Sequence, residues 1–525
     1  MNVLVPLPFV LGLGGAAVAL LCHGRRKLQR AIALAVTSAT VASSVALLVA
    51  SDRQGHLVTQ VGGWPAPFGI TLVVDRFSAI MLVVSTAMIL VVLVYAIGQL
   101  SVERERLYFH PVYLVLTAGV CLSFLTGDLF NLFVAFEVML MASYVLLTLG
   151  GSSGQIRSGM TYLVINLLAS TFFVVAVGLT YAATGTVNMA QLALRLGEVD
   201  PALRAALGLM FLVVFGVKAA IFPLFFWLPD AYPTAPAPVT ALFAGLLTKV
   251  GVYAIIRSQT LLFGDLGRPS VLLLAIAGAT MLVGVLGAIA QNDIKRILSF
   301  HIVSQIGYMI LGLALFSLAG LAGAILYIVH HIVVKTTLFL VAGVVERMAG
   351  TASLTRLGGF SRMVPVLGIL FLLPAFSLAG IPPFSGFVAK LALVQAGLES
   401  GRLLVIGVSL LVSLLTLFSM TKIWGGVFWG APEPAALSEG PAGGRLRPPS
   451  LMTGATGAMA ALSLVIAVFA EPLYGLSERA AADLLDRDSY TAAVLGEGGG
   501  DLLGEGGGEV VEPASPAAAV RGGDS

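Results

Sequence analysis

Apolar runs of about 20 residues recur from one end of the chain to the other, and no other feature constrains its fold as much. Each run is long enough to cross roughly 30 Å of hydrocarbon as a helix. Of the 525 residues 58% are hydrophobic and 10% are charged, whereas a soluble domain carries about 25% charged residues. A soluble fold is excluded, and we predict an all-α polytopic membrane protein.

The length criterion predicts about fourteen transmembrane helices. The segment 385–428 holds two crossings with a short turn near Glu399, and one of these crossings is shared with the segment before it. The predicted spans are 3–22, 31–50, 72–99, 110–126, 129–149, 160–183, 205–228, 238–257, 270–290, 296–316, 321–346, 364–384, 385–428 and 451–470.

The first apolar run, MNVLVPLPFVLGLGGAAVALLC, has no basic residues before it and is followed by HGRRKLQR. This order is the reverse of a cleavable signal peptide, so we expect an uncleaved first span with the N-terminus outside. That start places most basic loop residues inside, which agrees with the positive-inside bias. They are Arg25, Arg26, Lys27, Arg30, Arg104, Arg106, Arg157, Lys295, Arg296, Arg347, Arg356 and Arg362.

The chain divides into a transmembrane domain and a tail. We assign residues 1–475 to the membrane domain, with core repeats at about 110–260 and 270–428, and residues 476–525 to the tail. The end of the tail, GEGGGDLLGEGGGEVVEPASPAAAVRGGDS, is polar and of low complexity. Such composition is typical of disordered segments.

Two spans are interrupted by proline, in VKAAIFPLFFWLPDA at Pro223 and in SLAGIPPFSGFVAK at Pro382 and Pro383. Proline frees carbonyl groups, which are tolerated in a membrane where they line a hydrated cavity. Lys218 precedes the first break and Lys390 follows the second, which is the order that an inverted copy would show. The paired breaks therefore suggest a transporter built from inverted repeats.

An ionisable residue inside a membrane helix costs about 2.5–3.5 kcal/mol and indicates a functional site by default. Glu137 lies in an apolar helix; it is either a neutral acid that joins helices or a group that gains and loses a proton beside a moving charge. Lys218 and Lys249 lie in the following spans, and each is either part of a static ion pair or part of an ion path. Two lysines and one glutamate leave an excess positive charge that a purely structural ion pair would not need.

His331 and Lys335 are four residues apart and share one face of a helix. Histidine titrates near neutral pH, so this pair is favoured as a proton relay over a histidine that is only packed in the core. His330 points about a quarter-turn away, and the role of His301 near the inner surface stays open. Lys390 has no acidic neighbour in its own span, and its place beside a proline break suggests an outward gate.

Several other classes of function lack any signature. The two cysteines are not clustered, and there is no nucleotide-binding motif or nucleophile with its base. The net charge of +3 is spread out, which disfavours nucleic acid as a partner. We therefore expect no catalytic residues, no cofactor and no metal, and we expect the partners to be membrane proteins, lipids and ions.

Five motifs together resemble the proton-translocating membrane subunits shared by respiratory complex I and Mrp-type multisubunit Na+/H+ antiporters. They are DLFNLFVAFEVMLMASY, VKAAIFPLFFWLPDAYPTAPAPVTALFAGLLTKVGVYA, QNDIKRILSFHIVSQIGYMILG, HHIVVKTTLF and SLAGIPPFSGFVAK. The segments SLLTLFSMTKIWGGVFWG and EPLYGLSERAAADLLDRDSYTAAVLG are similar to the D-type subunits of the Mrp-type antiporters. The resemblance covers most of the membrane region.

The resemblance implies fourteen helices with two inverted five-helix repeats that contain broken helices, in a multi-pass protein of a bacterial plasma membrane. It also implies a central hydrophilic axis of Glu137, Lys218, Lys249 and Lys390, with His331 and Lys335 between the halves. The partners would be other subunits of a hetero-oligomeric membrane complex, protons and a monovalent cation, Na+.

Three hypotheses follow. The first is a proton-translocating subunit of a Na+/H+ antiporter, a transporter rather than an enzyme. The second is a proton-pumping membrane subunit of an NADH:quinone oxidoreductase or hydrogenase-type complex, without its own redox centre. The third is a scaffold whose buried charges are inert, which would tolerate neutralisation of each lysine.

Overall fold

A computed structural model describes residues 2–264, 271–430 and 448–496. Within these ranges the regular secondary structure is helical except for one two-stranded antiparallel hairpin, in which Leu57 pairs with Val74 and Gln60 with Thr71. We call the end of the molecule that carries this hairpin the hairpin end.

The first half of the chain forms eight helices and the hairpin. In chain order they are α1 (Leu7–Leu21), α2 (Arg26–Gln54), β1 (Leu57–Gln60), β2 (Thr71–Val74), α3 (Arg76–Gln99), α4 (Val102–Arg106), α5 (Phe109–Leu125), α6 (Leu129–Leu147), α7 (Ser153–Thr184) and α8 (Met189–Arg195).

The remaining helices include several short ones next to breaks. They are α9 (Pro201–Ala219), α10 (Trp227–Ala231), α11 (Ala237–Gly245), α12 (Leu247–Leu261), α13 (Val271–Ala290), α14 (Ile294–Leu315), α15 (Leu318–Ala349), α16 (Phe360–Met363), α17 (Pro365–Ala379), α18 (Ser385–Glu399), α19 (Leu403–Trp424), α20 (Ser450–Val468), α21 (Ala470–Leu485) and α22 (Arg487–Leu495).

Eleven helices of the described residues are long and apolar enough to cross a membrane, and three shorter apolar helices, α1, α5 and α17, accompany them. The prediction of an all-α polytopic membrane protein is confirmed. The number of fourteen crossings and the inverted five-helix repeats stay predictions.

The membrane helices differ sharply in burial, which separates a centre from a periphery. In the most apolar 18-residue stretch of each helix, 100% of the residues are buried in the segment Ala237–Leu261 and in α15, and 94% are buried in α14. The share is 33% in α2 and 39% in α7, α13, α19 and α20. The peripheral helices present apolar side chains outward, such as Val45 and Val49 on α2 and Leu410 and Leu411 on α19, as helices that face lipid do.

Two helices are interrupted where the sequence predicted breaks. α9 ends at Ala219, Ala220 adopts a left-handed conformation, and the chain turns before α10 begins. α17 ends at Ala379, and Gly380 has a positive φ of 85° before α18 begins at Ser385. Pro223 and Pro382 lie in these two turns, so each break falls at the predicted proline.

Several predicted spans are longer than the helices that the structure shows. The span 72–99 is wrong at its start, because Thr71–Val74 is a strand and Asp75 caps α3 by accepting from the Ser78 amide. The spans 205–228 and 364–384 are wrong at their ends, because α9 stops at Ala219 and α17 stops at Ala379.

The predicted polar tail begins later than residue 476. α21 and α22 extend the helical structure to Leu495. Arg76 holds α21 through Asp483 at 2.7 Å, and it also bonds Asp52 at 2.9 Å. An arginine shared by two carboxylates therefore fixes the start of the tail, and the expectation of disorder for 497–525 lies outside the described residues.

Candidate ion-translocation axis

The six predicted axis residues lie on five different helices. Glu137 is on α6, Lys218 is in the last turn of α9, Lys249 is on α12, His331 and Lys335 are on α15, and Lys390 is on α18. All four lysines are at most 7% exposed, and His331 is fully buried. The breaks and the central helices thus bring the four lysines and His331 into the interior, while Glu137 is half-buried.

Glu137 and Lys218 are close enough for their charges to interact, but they form no direct ion pair within the described residues. The Lys218 ammonium instead donates to the carbonyl of Asn166 at 3.2 Å and to Ser170 Oγ at 3.0 Å, both on α7. Glu137 Oε1 is buried and accepts no hydrogen bond. The two charges are therefore separated, with Lys218 held by α7.

Lys249 is held by a third helix interruption that the sequence analysis did not predict. α11 ends at Gly245 and α12 begins at Leu247, and the Ala244 carbonyl accepts from Lys249 Nζ at 2.5 Å. This interruption carries no proline. The signal available in the sequence was the glycine in FAGLLTK.

Lys335 and His331 have no hydrogen-bond partner on any side-chain nitrogen within the described residues. Lys249 lies near enough to interact electrostatically with both. Burying an unpaired ammonium costs several kcal/mol. Charge at this point of α15 therefore depends on a counter-charge or water that reaches it.

His330 contacts the second break, although the sequence favoured its neighbour. His330 Nδ1 lies 2.9 Å from Ser385 Oγ at the start of α18, and that oxygen lies 3.1 Å from Ser377 Oγ on α17. Both histidine rings lie beside Tyr327, with centroid distances of 5.5 Å for His330 and 6.5 Å for His331, but His331 bonds neither serine. The two adjacent histidines thus face different parts of the axis.

Lys390 bonds to the end of the interrupted helix α17. Its ammonium donates to the carbonyls of Leu378 at 2.9 Å and Ala379 at 3.3 Å, and to Ser413 Oγ at 3.0 Å. A lysine at a helix C-terminus is favoured by the negative end of the helix dipole. No carboxylate pairs with it among the described residues.

Two tyrosines continue the polar path between α15 and Lys390, and the sequence analysis missed them. Tyr327 donates to Gln305, and its ring stacks on that of Tyr308 with centroids 5.2 Å apart. Tyr308 OH lies 2.9 Å from Ser413 Oγ, and Lys390 lies 4.8 Å above the Tyr308 ring. Their position in apolar spans was the only sequence signal.

His301, whose role the sequence left open, is fully buried on α14. Its Nε2 lies 2.9 Å from Ser419 Oγ on α19, while its Nδ1 has no partner in the described part of the chain. It interacts electrostatically with Lys335 and Lys390. His301 thus lies beside the axis rather than at the inner surface.

A buried ion pair closes the hairpin end of the bundle. Arg257 on α12 bonds Asp75 at 2.5 Å, and its guanidinium lies 5.5 Å from each of the Tyr253 and Tyr490 ring centroids. Burial disfavours the charged carboxylate, but Arg257, His56 and the Ser78 amide together outweigh burial and lower the pKa of Asp75. This pair fixes α12, which is also the helix that carries Lys249.

The fold and the buried residues define a class: a multi-span membrane protein with a lysine-rich polar axis that joins interrupted helices. Residues 126–416 match the family model described as NADH:quinone oxidoreductase/Mrp antiporter, TM. The chain is 44% identical over 499 residues to the D subunit of the Na(+)/H(+) antiporter of Alkalihalophilus pseudofirmus, covering 95% of this chain and 100% of that protein. It is 38% identical over 504 residues to the protein of the same name from Bacillus subtilis, with 95% and 100% covered.

A solved structure is also similar. It is described as "Structure of Mrp complex from Dietzia sp. DQ12-45-1b", and one of its chains superposes with a TM-score of 0.87 at 36% identity, covering 94% of this chain and 99% of that chain. The chain belongs to the NADH:quinone oxidoreductase/Mrp antiporter family of membrane proteins. The resemblance predicted from the five motifs is confirmed.

Proposed function

We propose that this chain is the D-type subunit of a multisubunit Na+/H+ antiporter, and that it moves protons along Glu137, Lys218, Lys249, His331/Lys335 and Lys390. The observation that carries the proposal is the set of interior titratable groups on α6, α9, α12, α15 and α18, which form no direct ion pair within the described residues. Lys218, Lys249 and Lys390 bond only carbonyls and hydroxyls, and His331 and Lys335 have no hydrogen-bond partner in the described part of the chain. The two relatives whose names include this antiporter subunit match almost the whole chain.

The axis carries an excess of positive charge, and this excess supplies the mechanism. Four buried lysines face one carboxylate, Glu137, so protonation of one lysine disfavours protonation of the next. When Lys218 moves toward Glu137, its charge is stabilised there and its repulsion on Lys249 falls. A proton can then be accepted further along, and Lys390 releases its proton when the α17 carbonyls no longer hold the ammonium.

The subunit would work in a bacterial plasma membrane with its N-terminus outside. Arg30 and Glu105 form an ion pair at 2.5 Å at the end of the bundle opposite the hairpin, and Lys295 and Glu346 pair at 3.0 Å. The basic loop residues collect at this end, which the positive-inside bias places in the cytoplasm. The hairpin end, with α21 and α22, would then face outward.

The chain acts as a transporter subunit and not as an enzyme, and we propose that it works with other subunits. The related solved structure is described as a complex. The peripheral helices, which are about 33–39% buried in their most apolar windows, offer faces for lipid and for neighbouring subunits. Cation exchange would then be driven by proton movement through this chain.

The test is Na+-dependent dissipation of an imposed pH gradient in inverted membrane vesicles from cells that express the complete operon. Lys218→Ala is compared with Lys422→Ala, because Lys422 bonds the carbonyls of Ile289 and Gln291 and lies outside the axis. At matched assembly we expect Lys218→Ala to abolish the Na+ response and Lys422→Ala to retain it.

An unchanged response in Lys218→Ala would contradict the axis and favour a scaffold with inert charges. If the wild-type complex itself shows no Na+ response, the antiporter assignment is wrong. A redox-driven proton pump is then the next hypothesis, and co-purification with flavin and iron–sulfur subunits would support it.

A further inference from the structure

A lipid-facing groove at the hairpin end lies between α13 and α19. Its volume is about 540 Å³. The α13 wall is made of small side chains, with Ala275, Gly278 and Ala279 between Val271 and Leu282. The α19 wall is formed by Val405 and Val408. The small residues leave space between two helices that otherwise pack together.

A basic residue, Arg402, lies at the mouth of this groove. It is the residue that precedes α19, and among the described residues that line the groove it is the only charged one. Its Nε is buried and has no hydrogen-bond partner within the described residues. A buried, unsatisfied donor on a charged group is costly, so an acceptor at this point would stabilise the side chain.

The backbone beside Arg402 also lacks an acceptor. No side chain caps the N-terminus of α19, so the amide groups of its first turn are free of a capping side chain. Helix N-termini favour negatively charged oxygens. The guanidinium and these amides together select an anion rather than a neutral group.

The groove has the length of one lipid leaflet. From Val271 to Leu282, α13 rises about 16 Å, at roughly 1.5 Å per residue. Half of the hydrocarbon thickness is about 15 Å. A chain that fills the groove would therefore run from the membrane surface, where Arg402 lies, to the bilayer centre.

We propose that this groove binds one anionic phospholipid, with an acyl chain between α13 and α19 and the phosphate on Arg402. Position decides the class of ligand. Both helices belong to the periphery, since Leu403 and Leu404 at the mouth are 67% and 86% exposed, so the groove opens toward the bilayer. A lipid can enter from the side without displacing any part of the protein.

The test uses the complete complex in nanodiscs that contain phosphatidylglycerol and phosphatidylcholine, followed by extraction into mild detergent and quantification of retained lipid. Arg402→Gln removes the charge and keeps a polar side chain. We expect about a fivefold loss of retained phosphatidylglycerol, since one basic residue near a membrane surface is worth about that factor. Retained phosphatidylcholine should not change.

A second variant fills the groove without altering charge. A Cβ at Gly278 would lie 3.9 Å from Val405, which is ordinary contact, so Gly278→Phe places its ring in the groove without backbone clash. The matched control is Gly407→Phe on α19, where a Cβ meets nothing within 4 Å. We expect Gly278→Phe to lose the lipid and Gly407→Phe to keep it. If Arg402→Gln fails to assemble, this pair alone decides.

Three results would overturn the proposal. One is retention of phosphatidylglycerol at wild-type levels in Gly278→Phe. Another is competition by inorganic phosphate as strong as that by the lipid, which would mean a simple anion site. The third is attachment of a photoreactive amino acid at Leu404 to a protein subunit and not to lipid.

Discussion

Arg257→Met should loosen the hairpin end of the bundle, because it leaves Asp75 buried without its cation. Asp75 is 1% exposed, and it also accepts from the Ser78 amide as the cap of α3. Removing one partner of a buried ion pair costs about 3–5 kcal/mol. Methionine keeps much of the apolar stem, so packing loss adds little.

The assay is hydrogen exchange of the amides around Ser78 in the assembled complex. A loss of 3–5 kcal/mol in local opening free energy speeds exchange by about 10²–10³-fold or more. The matched control is Arg479→Met, since Arg479 pairs with Asp52 at 2.9 Å but is 50% exposed. Exposed pairs contribute about 0–1 kcal/mol, so this control should change exchange by less than about fivefold.

The pH dependence has a definite sign. In the wild type the pKa of Asp75 is lowered, so the pair stabilises the fold above the unfolded pKa of about 3.9, and this stability is lost as pH falls through the folded value. In Arg257→Met burial is opposed only by the Ser78 amide and the His56 charge, so the neutral acid is favoured more than in the wild type and the defect should shrink as pH falls. Adding Asp75→Asn to Arg257→Met should recover most of the lost protection from exchange. Exchange within fivefold of wild type, or a double variant as weak as the single one, would refute this reasoning.

Two further predictions concern the α9–α12 contact and the start of α6. Gly251→Ala should lower the free energy of unfolding by about 1–3 kcal/mol and reduce transport, because a Cβ there would lie 2.5 Å from the Ala219 amide nitrogen beside Lys218. The control is Gly178→Ala, where a Cβ would meet nothing within 4 Å. Equal thermal stability and transport in both variants would contradict the prediction. Burial raises the pKa of Asp128 to about 6, so stability should fall as pH rises from 4 to 7, by up to about 3 kcal/mol, and Asp128→Asn should flatten the unfolding profile. A wild-type profile already flat over this range would show the reasoning to be wrong.

The sequence predicted the membrane class and both proline breaks because these depend on local properties. Apolar length alone identifies a crossing, and proline marks an interruption wherever it occurs inside one. The run TLVV before Asp75 was wrongly joined to α3, because a short β-branched strand and the start of an apolar helix look alike in composition. The cap formed by Asp75 was the signal that separates them.

The partners of the axis residues could not be predicted, because they are distant in the chain. Arg257 appeared only to end a span, whereas it pairs with Asp75, 182 residues earlier. The spacing to Lys335 favoured His331, and only the position of α18 shows that His330 is the histidine that reaches Ser385. Long-range geometry of this kind requires the packed helices.

The continuity of α15 divides the protein into a stiff part and compliant parts. His331 and Lys335 lie on 32 uninterrupted helical residues, so their spacing along the axis is locked at about 6 Å. Lys218 lies in the last turn of the broken helix α9, and Lys390 on α18 bonds the last carbonyls of the broken helix α17, where the helix is interrupted and the local backbone can adjust. Motion would therefore be concentrated at the breaks that follow α9 and α17, and α15 would remain rigid between them.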